Sequence, residues 1–242
     1  MIYSEYTDAV AREIEDLSAA LAAGPLSDPV PTCSDWAVAD LAVHVGEFCG
    51  FWSHVLCEGT GRPKTPFTDP PRGDALAGWA AELGVHLVAE LEATPSETEV
   101  WTWLDADKSA GFVGRRCAHE LAVHRYDAQS ARGTCSPIAP RLAADGIAEI
   151  LDALLSLRDR TGQGSGQSMH LHGTDAREEA EWVITFHADR VDARQGHAKA
   201  DLALRGSVSD LELLLYGRPT LGEVEHLGDE SVLELWYREF AF

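Results

Sequence analysis

The chain has 242 residues, 45 % of them hydrophobic, enough to build a proper core as one large domain or two small ones and too apolar for wholesale disorder. Nineteen Lys and Arg against forty Asp and Glu leave a formal charge of −21. That balance argues against nucleic-acid partners and against docking on anionic membranes, both of which need concentrated basic charge. No run of about 18 apolar residues occurs, so no transmembrane helix is expected. The first residues are acidic and amphipathic, without the basic start and apolar run of a signal peptide. Five cysteines (Cys33, Cys49, Cys57, Cys117, Cys135), an odd number without a CxxC pair, indicate free thiols in a reducing, cytoplasmic setting.

Apolar residues at helical spacing (Tyr6, Val10, Ile14, Leu17, Leu21) predict a first helix over 4–23, ended by Gly24-Pro25. A loop over 29–35 follows, with Ser34 or Asp35 as the expected N-cap of a second helix over about 36–57. Gly, Pro and Thr recur over 59–71, a loop, and a third helix covers about 73–92. The segment 100–103, Val-Trp-Thr-Trp, reads as extended. A fourth helix is expected over about 112–132 and a fifth over about 140–160, which suggests a bundle of four or so. Three glycines within 161–166 mark a linker or hairpin loop. Beyond it, 168–173 and 181–187 alternate like strands, 201–204 is a further candidate strand, 208–216 is helical, and 233–242 is helix or strand. The expected class is therefore α+β, a helical bundle over 1–162 followed by a smaller α+β domain over 163–242.

Glu120 and His124 are four apart in the fourth helix, hence on one face and one turn apart. A carboxylate and an imidazole there can share a divalent cation. His44, from the second helix, would supply a third ligand and leave coordination positions open, as in a catalytic rather than a structural site. Spacing alone also fits a solvated stripe of i,i+4 pairs containing Arg116, Glu120, His124 and Asp127. Asp127 is a candidate partner for a ligand imidazole or for Arg116, His119 a core or supporting residue, and Cys117 a small packing residue or a redox thiol near the site. His54, His86, His170, His172, His187, His197 and His226 show no spacing that suggests a second metal, although His170 and His172 would share a strand face. Trp36, Trp52 and Trp79 read as core anchors.

Whole segments go further. Thr32-Cys33-Ser34-Asp35-Trp36 followed by Asp40-Leu41 and His44, and the run from Arg116 to Asp127 (RCAHELAVHRYD), resemble the metal-bearing helices of the mycothiol-dependent maleylpyruvate isomerase family. Arg205-Gly206 to Asp210-Leu211 and Leu215-Tyr216-Gly217-Arg218-Pro219 resemble its second domain, so the likeness runs over nearly the whole chain in the same order. The resemblance implies a DinB-like four-helix bundle followed by an α+β domain of sterol-carrier-protein-like type. It implies a divalent metal, usually zinc, held by His44, Glu120 and His124, and mycothiol, the low-molecular-weight thiol of actinobacteria, as cofactor. Two imidazoles and one carboxylate also accept nickel, manganese or iron. Zinc deprotonates a coordinated thiol, whose free pKa is about 8.5. The thiolate would add to the double bond of an unsaturated keto-diacid, giving isomerisation or, if it stays attached, S-transfer. Arg116 and Arg218 are the candidate anchors for substrate carboxylates, facing a cleft between the domains. Partners are then a small-molecule substrate and the thiol, with the chain a monomer or homodimer. Two rivals stand beside this reading: a non-catalytic metal- or ligand-binding protein, and a metal-dependent hydrolase with Asp127 or Glu47 as base.

Overall fold

The computed structural model describes residues 1–59, 61–62, 69–157, 164–176 and 180–240, of which 156, 157 and 240 are described by backbone alone. They divide into two units, Met1–Ser136 and Pro137–Phe242.

The first unit holds α1 (Tyr3–Ala22), α2 (Val38–Glu58), α3 (Ala75–Ala93) and α4 (Ala110–Ser130). The apolar stripe of α1 seats on α4 and α3, and α2 closes the bundle against α3 and α4. Leu17, Leu21, Leu41, Leu87, Leu91 and Leu121 form its fully buried centre. Two glycines allow the close helix approach. A Cβ on Gly46 of α2 would lie 2.1 Å from the Trp79 ring of α3, and one on Gly84 of α3 would lie 2.5 Å from Ile14 of α1. Of the 21 residues of α4, sixteen are buried, so this helix carries its polar residues into the core and each needs a partner there. Arg125, for example, donates to Glu13 of α1 at 2.8 Å and to the Ser136 carbonyl at 2.6 Å.

The second helix begins later than expected. Residues 30–36 fold into a turn in which the Val30 N–H donates to the Trp36 carbonyl, and Pro29 bridges Ala37. This spends the segment that Ser34 or Asp35 would have capped. Ala37 is the N-cap instead, and Asp40 reaches back to accept from its N–H at 2.8 Å. Trp36 therefore stands outside the helix. The segment expected to be extended at 100–103 contributes no strand. A single bridge between Glu99 and Ser109 closes the loop that ends at the Ser109 cap.

The second unit contains α5 (Pro140–Asp152), a 3-10 turn (Leu154–Leu157), β1 (Ser168–Gly173), β2 (Glu181–Phe186), β3 (Val191–Gln195), β4 (Leu202–Gly206), α6 (Val208–Leu215), β5 (Glu225–Gly228) and α7 (Ser231–Phe240). The strands form one sheet in the order β3-β2-β1-β4-β5, with β1 and β4 parallel and the other neighbours antiparallel. Trp236 of α7 is fully buried, donates its indole N–H to the Leu215 carbonyl at 2.8 Å and meets Phe186 edge-on. The α+β class holds, but the division does not fall at 162. The fifth helix packs on α6, and the Ile138 N–H donates to Ser209 Oγ at 2.9 Å. The apolar face of α5 (Leu142, Ile147, Ile150) thus finishes the second core, and the bundle proper is four helices ending at 136.

The glycine-rich stretch expected as a linker over 161–166 is outside the described residues up to 163. Its remainder runs against β2, where the Gly166 N–H donates to the Phe186 carbonyl. The loop expected at 59–71 also lies partly outside the described residues, as do the last two residues of the segment 233–242, whose described part is helix. No helix of the described residues is long and apolar enough to cross a membrane.

Candidate metal centre

Two helices build the centre within the first unit. On α4 the four-residue spacing stacks Arg116, Glu120 and His124 along one stripe, and α2 lays His44 across it. His44 Nε2 is 3.1 Å from Glu120 Oε1, and His124 Nε2 is 3.3 Å from the same oxygen. The two imidazoles meet edge to face with centroids 4.6 Å apart. One donor atom from each of the three residues lies within 4.8 Å of the others.

The surroundings fix which atoms face inward. Asp127, fully buried one turn further on, accepts from His124 Nδ1 at 2.9 Å, so Nε2 is the nitrogen turned toward Glu120 and His44. The Cys33 thiol donates to the same Asp127 oxygen at 3.6 Å. Arg116 occupies Glu120 Oε2, which leaves Oε1 for the histidines. Trp36 stacks on His124 at 6.1 Å and tilts over His44 at 5.2 Å, walling one side with apolar surface. The His44 side chain is 36 % exposed and that of His124 10 %, so the group opens to solvent on the α2 side.

The electrostatics follow from this packing. Burial alone would raise the Glu120 pKa, but the Arg116 guanidinium and the hydrogen bonds from His124 and His44 hold it well below the usual carboxylate range. Burial alone would lower that of His124. The hydrogen bonds to Asp127 and Glu120, with their charges, overcome it and raise the pKa to about 9. Cys49 is pushed far up by burial and then by the Glu120 charge, so it is an inert packing thiol.

The donor set fits a divalent cation. Two imidazole nitrogens and one carboxylate oxygen converge, the carboxylate is ionised, and three protein ligands leave a position for an exogenous group. A hydrogen-bonded acid such as Asp127 behind a ligand histidine is the usual support of such a centre.

The remaining expected residues sort clearly. Arg116 is 6 % exposed and committed to Glu120. Arg218 lies in the second unit, where it donates to the Tyr216 carbonyl at 2.8 Å and rests over the Tyr216 ring. Glu47 is exposed and makes no hydrogen bond to the three ligands among the described residues. His119 is buried against the Tyr6 ring, a core position. Cys117 is fully buried, as a small packing residue should be. The sequence reading missed the parts played by Trp36 and Cys33. It also missed a second group, His170, His172, Glu181 and His197, which the sheet brings together.

A four-helix unit carrying a cluster of two histidines and one carboxylate, followed by an α+β unit, defines the class of two-part protein to which the chain belongs. The family model for the mycothiol maleylpyruvate isomerase N-terminal domain matches residues 7–129, and the chain belongs to that family. Two solved structures share the fold over 93 % of this chain and 93 % of their own. A histidine-to-alanine mutant of the mycothiol-dependent maleylpyruvate isomerase superposes with a TM-score of 0.66 at 15 % identity. A second structure of the mycothiol-dependent maleylpyruvate isomerase gives 0.60 at 17 %. No curated protein sequence matches the chain.

Proposed function

We propose that the protein is a metal- and mycothiol-dependent enzyme, an isomerase or S-transferase acting on a small electrophile such as an unsaturated keto-diacid. The observation that carries this reading is the convergence of His44 Nε2 and His124 Nε2 on one oxygen of Glu120. Family membership and the likeness to the isomerase structures support the thiol and the substrate class. His44, Glu120 and His124 would hold the metal, with zinc the first candidate. A divalent ion held there would supply a Lewis acid able to lower the pKa of a coordinated thiol toward neutral pH.

The chain's own residues do the rest. Asp127 holds the His124 ring in one tautomer and orientation. Arg116 keeps Glu120 ionised and turns one oxygen toward the histidines. Trp36 excludes water from the face it covers. This makes Arg116 a positioning residue for Glu120. Arg218 is carried as a substrate anchor, and an Arg218→Ala enzyme with unchanged turnover would remove it from the mechanism.

The test is metal content of the purified chain by elemental analysis, beside His124→Ala, with mycothiol titrated into both by calorimetry. About one equivalent lost in the variant, and thiol binding that depends on it, is the expected result, followed by mycothiol-dependent turnover of maleylpyruvate. A chain that takes up no metal at this centre after reconstitution would overturn the proposal. Metal uptake without thiol binding would shift the reading to a thiol-independent hydrolase or a non-catalytic metal-binding protein.

A further inference from the structure

We propose a second metal site on the sheet of the α+β unit, formed by His170, His172, Glu181 and His197 and suited to a zinc-like divalent ion. Three adjacent strands build it. His172 and Glu181 are direct cross-strand partners of β1 and β2, so their side chains rise from the same face. His170, two residues earlier on β1, shares that face. His197 arrives just past the end of β3. Gly196, at φ 121°, makes a turn that L side chains rarely adopt, and its N–H donates to the Glu181 carbonyl at 2.9 Å. The turn carries the His197 ring back over the Glu181 carboxylate.

All four side chains then face one point. Glu181 Oε2 lies 2.9 Å from His170 Nε2 and 2.7 Å from His197 Nδ1, and Oε1 lies 3.3 Å from His172 Nδ1. The rings of His170 and His197 meet edge-on at 4.8 Å. One donor atom from each residue falls within 4.8 Å of the other three. Donors about 2.0–2.1 Å from a tetrahedral ion are separated by about 3.3 Å, so small side-chain rotations suffice to admit one.

The chemistry selects the ion. Three imidazoles and one carboxylate suit zinc and the neighbouring first-row metals, whereas calcium and magnesium demand oxygen ligands. Access is built in: His170 is 4 % exposed at the floor, while the His197 side chain is 75 % exposed at the rim. A cavity of about 440 Å³, lined in part by Glu181, His197, Gln195 and Gly173, opens beside the group. An ion there is therefore exchangeable, and it would tie β1, β2 and the exit of β3 together. All four ligands belong to the second unit, so the site is independent of His44, Glu120 and His124.

The experiment uses the full chain, stripped with chelator and titrated with cobalt(II) followed by visible absorption, then with zinc followed by elemental analysis after desalting. Wild type should take two equivalents, a His44→Ala/His124→Ala variant one, and zinc should still raise the melting temperature of that variant. Adding His197→Ala, at the exposed rim, or Glu181→Gln should weaken the remaining equivalent at least tenfold and abolish the thermal shift. If the double variant does not fold, His197→Ala alone decides: loss of one of two equivalents supports the site. A double variant that binds nothing, or a second equivalent indifferent to His197→Ala and Glu181→Gln, would overturn it. Each outcome leaves the first centre separately scored.

Discussion

Asp127 shows how much of the candidate centre depends on one side chain that would touch no ion. Its carboxylate accepts from His124 Nδ1 and from the Cys33 thiol in a fully buried position. Converting it to Asn keeps the volume and loses the charge that orients the imidazole. Asp127→Asn should lower zinc affinity about 10–100-fold while the fold persists, measured by competition with a chromophoric chelator. Unchanged affinity would show that His124 is held by packing alone. His44 and the ligand role of the set came from the family resemblance, whereas the one helix face shared by Glu120, His124 and Asp127 was legible from spacing. Trp36 was not. It read as a core residue at helical spacing, yet it lies before α2, stacks on His124 and tilts over His44, and only the turn at 30–36 puts it there. The sheet site was only half visible: His170 and His172 share a strand face in the sequence, but Glu181 and His197 were hidden, since His197 reaches the group through one glycine turn and a strand with no apolar alternation.

A second residue-scale consequence concerns Tyr3. Its hydroxyl donates to the Leu91 carbonyl at 2.9 Å, and its ring packs against Gly114, where an added Cβ would lie 2.8 Å away. Burial, and then the nearby Cys117, raise its pKa from 10.0 to about 12. A group whose folded pKa is raised contributes stability fully below the unfolded value and loses it as pH climbs through the folded one. The Tyr3 contribution is therefore intact below pH 10 and disappears toward pH 12. Tyr3→Phe should cost about 1 kcal/mol at pH 7, from the lost hydrogen bond, and should flatten the fall in stability between pH 10 and 12. Urea melts across that range decide it, and an equally steep fall in the variant would refute the assignment.

Among the elements, the helix packing makes two glycines opposite in consequence. Gly46 and Gly78 both lie inside helices, where Ala is intrinsically better by up to about 1 kcal/mol. Gly46 faces the Trp79 ring with no room for a methyl group, so Gly46→Ala should destabilise the bundle by about 1–3 kcal/mol despite that gain. Gly78 has nothing within 4 Å of an added Cβ, so Gly78→Ala should stabilise by about 0.5–1 kcal/mol. Thermal or denaturant melts of the pair test the α2–α3 packing directly, and two shifts of the same sign would contradict it. The helices other than α7 were legible as elements from their apolar stripes, while α7 fell in a segment that reads as helix or strand. Their starts were less so, since the turn at 30–36 is held by the Val30–Trp36 bond and the Ser109 cap donates its hydroxyl to Asp107, all outside the helices. The outer strands were illegible for the same reason the helices were clear. Four of the five residues of β3 and all four of β5 are exposed, so neither bears the alternation by which β1 and β2 announce themselves. The fifth helix was found, though it ends at Asp152 and gives way to a 3-10 turn instead of running to about 160, and its neighbour was not: sequence proximity assigned it to the bundle, and packing on α6 assigns it to the sheet unit.

At the scale of the whole molecule, the charge of −21 sets conditions that no single contact removes. Like charges crowded by folding repel, and added salt shortens the screening length from about 10 Å at 0.1 M to about 3 Å at 1 M. The melting temperature should accordingly rise by a few degrees between about 0.05 and 0.5 M sodium chloride, a range in which ion pairs alone would give a fall. A flat or falling melting temperature would mean that pairs such as Arg125 with Glu13 dominate over the net field. The same field bears on the proposed substrate. A keto-diacid approaches a surface of its own sign, the reverse of electrostatic steering. The cationic groups nearest the candidate centre are already spent, Arg116 on Glu120 and His124 on Asp127 and Glu120. A divalent ion added to this group brings two positive charges to a place where one carboxylate is already balanced by an arginine. That attraction acts only at short range, so the long approach is still governed by the global repulsion, which salt screens. Raising ionic strength should therefore lower KM for a dianionic substrate and leave kcat little changed. A KM that climbs with salt would mean that local cations, and not the field of the whole protein, govern capture.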